Sequence, residues 1–233
     1  MLGKFGILIA ILVLVLLFFL VISLGAGAFS KSNVKPETKK YLKSVNILLI
    51  IIFGIATVLF SLIFTAYIYS IPPGQDTMYL LKPNLLWLNT TVLFFVSYFF
   101  YKIVNDLEKK ETSKIKKNLI IVGGLSYLFL FGQIIFWMQL MKSGNYVTTN
   151  TYFSSFYVFT TLHGLHLLGG LFFWGKVASR VLKLENNKIL DEEKSISALS
   201  WYWTFLLIVW LAFFLMIYIF NDAFIDWCKS LIS

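Results

Sequence analysis

Charge is scarce in this sequence: Asp, Glu, Lys and Arg make up 13% of its 233 residues, about half the share found in an average soluble domain. With 59% of the residues hydrophobic, a water-soluble domain is excluded. Cysteine is nearly absent, and the single Cys228 has no partner in the chain, which excludes an internal disulfide framework. Histidine occurs twice and proline four times. There is no phosphate-binding glycine loop, no nucleophile elbow, no paired acid and no CxxC motif, so the common signatures of nucleotide, acyl-transfer and thiol chemistry are missing. Aromatic residues, at 18%, are too abundant for a disordered segment. The net charge of +9 leaves an anionic partner open until the charges are placed.

What is present is a set of long apolar runs. Crossing a hydrocarbon core of about 30 Å takes about 20 residues at 1.5 Å each, and six runs approach or exceed that length, near residues 5–28, 45–71, 84–101, 118–141, 152–175 and 199–220. None holds an Asp or Glu. All eleven carboxylates fall between or after them, as the cost of an acid at the bilayer centre requires. The pattern predicts an all-α integral membrane protein of six transmembrane helices, because an isolated segment satisfies its backbone in lipid only as a helix. The basic residues alternate between the connections, 16 in one set and 4 in the other. The positive-inside rule places the rich set in the cytoplasm and both termini outside. The charge is thus a topology signal, and its anionic partners are phospholipid headgroups rather than nucleic acid.

The first run, with Lys4 before it and Ala26, Gly27 and Ala28 at its end, has features of a cleavable signal peptide. Its apolar stretch exceeds the 7–15 residues usual there, so residues 1–30 are expected to form an additional N-terminal transmembrane helix. A cytoplasmic basic linker follows at 31–44, then a five-helix domain at 45–220 and a short outward tail at 221–233. Pro72, Pro73, Gly74 and Pro83 mark a turn between the second and third runs.

Few side chains could carry chemistry. His163 and His166 are three apart on one helical face. They could ligate a metal or donate hydrogen bonds to neighbouring helices or headgroups. They cannot both reach the axial positions of one haem, and no acid or cysteine lies nearby to complete a metal site. Gly164, Gly169 and Gly170 beside them permit close approach of another helix. Asn89, Gln133 and Gln139 read as inter-helix hydrogen-bonding groups or as parts of a polar path. The seven tryptophans fit interfacial belts and helix packing. Composition and spacing alone stop at a six-helix membrane subunit.

Particular strings go further. TYFSSFYVFTTLHGLHLLGG (151–170) closely resembles the signature helix of cytochrome c oxidase subunit III, with its Phe-rich lead and His-Gly-x-His followed by glycines. LLWLNTTVLFF (85–95), preceded by Pro72 and Pro73, FGQIIFWMQLMKSGNY (131–146) and LSWYWTFLLIVWLAFFLMIY (199–218) resemble other segments of that family in the same order. The shared five-helix region covers about residues 45–220, and the orientation of those helices in the family agrees with the charge count.

The resemblance implies a non-redox integral subunit of a haem-copper terminal oxidase in the bacterial cytoplasmic membrane. Such a subunit packs against catalytic subunit I, binds phospholipid between helix bundles, and supports proton uptake and stability during turnover. The complex is an oxidoreductase, whereas this chain is expected to hold no catalytic, cofactor or metal-binding residue; haem and copper belong to the partner subunit. His163 and His166 would be structural or lipid-contacting, Gln133 would bridge helices, Trp201 and Trp203 would fix the last helix, and Arg180 and Lys102 would meet lipid headgroups. Two positions depart from the family pattern: Thr204 stands where a His usually follows Trp-Tyr-Trp, and the stretch ATVLF (56–60) lacks the family's buried Glu. The rival readings are a subunit III relative serving a quinol oxidase or nitric oxide reductase, and a standalone transport or lipid-handling protein. The latter would call for internal repeats and charged midplane groups, which the sequence lacks.

Overall fold

The longest described elements are five helices, in a computed structural model that describes residues 36–70, 84–185, 189–190 and 192–219. They are α1 (Pro36–Tyr69), α2 (Asn84–Glu108), α3 (Thr112–Lys142), α4 (Thr151–Lys183) and α5 (Glu193–Ile219). Four of them, α2 to α5, are long and apolar enough to cross a membrane; the described apolar part of α1 is the shorter Ile51–Tyr67. The all-helical class therefore holds among the described residues, which contain five helices, while the first of the six expected ones falls outside them. The first apolar run, the Pro72–Pro73 turn and the tail with Cys228 lie outside the described residues.

The helices outlast the apolar runs. At 25 to 33 residues, α2 to α5 are roughly 38–50 Å long, more than the hydrocarbon thickness, so charged residues ride on their ends. Helix α1 already starts at Pro36, so the expected linker 31–44 is helical over most of its length. Proline suits that first position because its missing N–H is one that no helix start can pair. Helix α2 runs on to Glu108 and carries Asp106, which is buried and accepts a hydrogen bond from Asn118 Nδ2 of α3 at 3.1 Å. Carboxylates avoid the apolar runs, but they are not all kept out of the helices.

Two helix ends share one device. At the end of α3, Gly144 at φ +82° sends its N–H to the Met141 carbonyl at 3.0 Å, and Asn145 N–H reaches back to Leu140 at 3.1 Å. This is a Schellman closure. The end of α2 repeats it with Lys110 at φ 59°: Lys110 N–H meets the Leu107 carbonyl at 3.1 Å and Glu111 N–H meets Asp106 at 2.9 Å. The α2–α3 connection is thereby reduced to Lys109–Glu111, and an ion pair of Glu111 with Lys114 covers it. Hydrogen bonding to the Lys114 ammonium, and its charge, hold the exposed Glu111 carboxyl below the usual carboxylate range. Helix α4 starts on Asn150, whose side chain accepts from Phe153 N–H at 2.9 Å, the usual work of an N-cap.

The chain divides into two units, Met1–Ile71 and Pro72–Ser233. In the first, the hydroxyls of Thr57, Ser61 and Thr65 bond the carbonyls four residues back at 2.7, 2.7 and 2.9 Å. Each satisfies its own polar group within the helix, as a lipid-facing or buried hydroxyl must. In the second, α2 packs on α3, α3 on α4, α4 on α5 and α5 back on α2, a closed ring of four helices. One half of its core is mostly aliphatic, built around Ile103, Leu119, Val122, Val177, Val181 and Leu199. The other is aromatic, with Phe129, Phe136, Phe156, Phe159 and Phe213 all buried.

Candidate functional site

Buried polar side chains in this bundle are few, and most make a hydrogen bond to another helix. Asn89 and Thr90, adjacent on α2, look in two directions. Asn89 Nδ2 reaches Gln133 Oε1 on α3 at 3.5 Å, while Thr90 Oγ1 accepts from Trp210 Nε1 on α5 at 3.0 Å. Both residues are essentially inaccessible. Asn89 fits because residue 132 is a glycine: a Cβ there would collide with Asn89 Oδ1.

The two histidines separate. His163 is fully buried, and its Nε2 lies 3.1 Å from the Leu206 carbonyl of α5. A carbonyl can only accept, so in the neutral ring Nε2 carries the proton. Phe129, Phe159 and Trp210 surround the ring, with centroids 5.7, 6.3 and 5.0 Å away. His166 is half-buried, and its Nδ1 lies 2.7 Å from the Leu162 carbonyl of its own helix. Its main-chain carbonyl also accepts from Tyr202 Oη at 2.7 Å. Sharing a face in sequence does not make them a pair, because one points into α5 and the other turns back on α4. Among the described residues there is no group of three or more His, Cys, Asp or Glu that could hold a metal ion.

Helix α5 is fixed by more than the expected tryptophans. Trp203 is buried and its Nε1 donates to Ser126 Oγ on α3 at 3.1 Å. Its ring and that of Tyr202 lie over Gly170, where an added Cβ would stand 2.6 Å from Tyr202 and 3.0 Å from Trp203. Of the three glycines of HGLHLLGG, only Gly170 makes this close approach; Gly164 and Gly169 have ordinary contacts at 3.9 Å. Trp201 is half-buried, and Trp210 is buried with its Nε1 donating to Thr90. Arg180 pairs with Glu192 at 3.2 Å, and Lys102 is exposed.

Sequence reasoning missed Trp210, Ser126, Thr90 and the Gly123 notch, which seats the ring of Trp174 while Trp174 Nε1 donates to the Leu119 carbonyl at 3.0 Å. The available signal was the small residues Thr90, Gly123 and Ser126, of a kind enriched where membrane helices meet. Taken together, the contacts join the four strings singled out earlier: LNTT to FGQ through Asn89 and Gln133, LNTT to the last helix through Thr90 and Trp210, and HGLHLLGG to WYW through His166, Gly170, Tyr202 and Trp203.

Several curated proteins are similar to this chain over about half to 70% of its length. The chain is 27% identical over 148 residues to cytochrome c oxidase subunit 3 of Synechocystis, covering 64% of this chain and 60% of that protein. It is 28% identical over 148 residues to a probable cytochrome c oxidase subunit 3 of Mycobacterium tuberculosis, covering 63% and 69%. It is 26% identical over 167 residues to cytochrome bo(3) ubiquinol oxidase subunit 3 of Buchnera aphidicola, covering 70% and 85%. The chain is thus similar to proteins named as subunit 3 of cytochrome c and ubiquinol oxidases. No protein-family model matches it, and it spans about three fifths of the length of the Synechocystis subunit III. Within the bundle, the buried polar contacts tie helices to one another.

Proposed function

We propose that this chain is a non-redox integral subunit of a haem-copper terminal oxidase, working in aerobic electron transport to O2 by packing against the catalytic subunit and stabilising it. The observation that carries this reading is that the four subunit III-like strings are one another's packing partners, meeting at Asn89–Gln133, Thr90–Trp210, His166–Tyr202 and Gly170–Trp203. A likeness spread over four helices that converge on one contact set is a property of the bundle as a whole. Haem and copper would reside in the partner subunit.

The chain would sit in the bacterial cytoplasmic membrane with its 16-cation side inward and both termini outward. On the inner side, Arg180 and Lys102 would meet anionic phospholipid headgroups. Arg180 is half-exposed even while it pairs with Glu192, so its remaining donors are open to a headgroup phosphate.

The test is isolation of the tagged chain in mild detergent, with its partners identified by mass spectrometry and a haem spectrum recorded. Co-purification with a haem-copper catalytic subunit is expected; a lone, colourless protein would remove the oxidase reading. The ubiquinol oxidase relative, matched over 85% of its length, supports a second reading in which the electron donor is a quinol. Turnover of the isolated complex with reduced cytochrome c or with a quinol separates the two.

A further inference from the structure

All four helices of the bundle contribute to one layer of its aromatic half: Asn89 and Thr90 from α2, Phe129 and Gln133 from α3, His163 from α4, and Trp210 from α5. Trp210 links the layer together, since its indole donates to Thr90 and its ring lies 5.0 Å from both Phe129 and His163. Three side-chain atoms in this layer have no hydrogen-bond partner among the described residues: Nδ1 of His163, Oδ1 of Asn89 and Nε2 of Gln133. The residues are 0%, 0% and 3% exposed.

Their chemistry is mixed. With Nε2–H committed to the Leu206 carbonyl, His163 Nδ1 is a bare acceptor. Gln133 Nε2 is a donor, and Asn89 Oδ1 is an acceptor. Exchanging the nitrogen and oxygen of one amide would set like atoms together at the Asn89–Gln133 contact. Exchanging both only reverses its direction, so neither change removes the unmet groups. A buried layer that needs donors and acceptors together is served by a small molecule that is both.

We propose that this layer binds internal water, one molecule donating to Nδ1 of His163 and one accepting from Nε2 of Gln133 beside Asn89. Bound waters of this kind typically make about three hydrogen bonds to otherwise unsatisfied buried groups. The rings of Phe129, Phe159 and Trp210 close around His163 and separate its water from lipid. The site follows from the bundle's own side chains and is independent of the oxidase assignment.

Infrared spectra of the purified full chain in its native assembly, recorded in ordinary water and in water labelled with oxygen-18, test it. Isotope-shifted O–H stretching bands are expected, with one component lost in Gln133→Met and another in His163→Phe, while the exposed control Leu168→Val keeps both. A density map resolving solvent should place a peak about 2.7–3.2 Å from each of the two nitrogens. Bands unchanged in both Gln133→Met and His163→Phe would overturn the proposal, as would a map with no solvent peak at either nitrogen or one in which Gln133 Nε2 bonds His163 Nδ1 directly. The map of the wild-type protein decides the matter even where a variant fails to fold.

Discussion

Trp203 donates its indole N–H to Ser126 Oγ across the diagonal of the helix ring, from α5 to α3, at 3.1 Å. Ser126 in turn donates to the Val122 carbonyl at 2.9 Å, so the hydroxyl is used in both directions. A double-mutant cycle of Ser126→Ala and Trp203→Phe should give a coupling of about 0.6 kcal/mol, and no more than about 1.7 kcal/mol, in line with hydrogen bonds between membrane helices. The measurement is reversible unfolding in mixed detergent micelles; zero coupling would mean that the bond adds nothing to packing.

Gly170 lies under two aromatic rings, one of them held in place by that bond. Gly170→Ala should destabilise by about 1–3 kcal/mol, the usual cost of overfilling a packed core. Gly124 is exposed with nothing within reach of a Cβ, so Gly124→Ala should cause no loss. Equal effects at both positions, measured by thermal melting in detergent, would show that the notch is not tight.

Lys110 holds a left-handed conformation that a Cβ disfavours by roughly 1–2 kcal/mol, in a closure whose counterpart on α3 uses Gly144. Lys110→Gly should therefore raise stability by about 1 kcal/mol, seen as a higher melting temperature. An unchanged or lowered value would show that the lysine side chain compensates through contacts of its own.

Arg180 and Glu192 form a partly exposed ion pair, and such pairs contribute little to stability, commonly 0.2–1 kcal/mol. If Arg180 also holds a phospholipid headgroup, Arg180→Ala should lower the phospholipid co-purifying with the chain while leaving its melting temperature nearly unchanged. Mass spectrometry of extracted lipid checks this, and unchanged lipid content would sink the headgroup role.

Where the sequence was legible, it was through bulk physics. Acids are too costly within lipid, so the apolar runs at 84–101, 118–141 and 152–175 reappear inside α2 to α4, and residues 199–219 of the last run lie inside α5. Their ends were not legible, because a helix continues wherever its backbone bonds persist. Asp106 is an example, beyond an apolar run yet inside a helix and buried against Asn118. The glycines of HGLHLLGG announced close packing, but which of them would be covered depends on where Tyr202 and Trp203 arrive from another helix. The same limit hid Trp210 and Thr90, 120 residues apart, since a buried indole and an interfacial one look alike in a string of letters. His163 and His166 showed the converse: one face in sequence, two destinations in space.

The contacts of α5 bear on the order in which the bundle can be made. Translated after the other three, it supplies the indole for Thr90 on α2, the indole for Ser126 on α3 and the phenol for the His166 carbonyl on α4. A nascent chain that has released only α2, α3 and α4 into the bilayer can already close the Thr90 and Ser126 hydroxyls onto carbonyls of their own helices, but the imidazole N–H of His163 lacks the acceptor that α5 brings. The last of the four bundle helices to be made thus acts as a keystone for the other three.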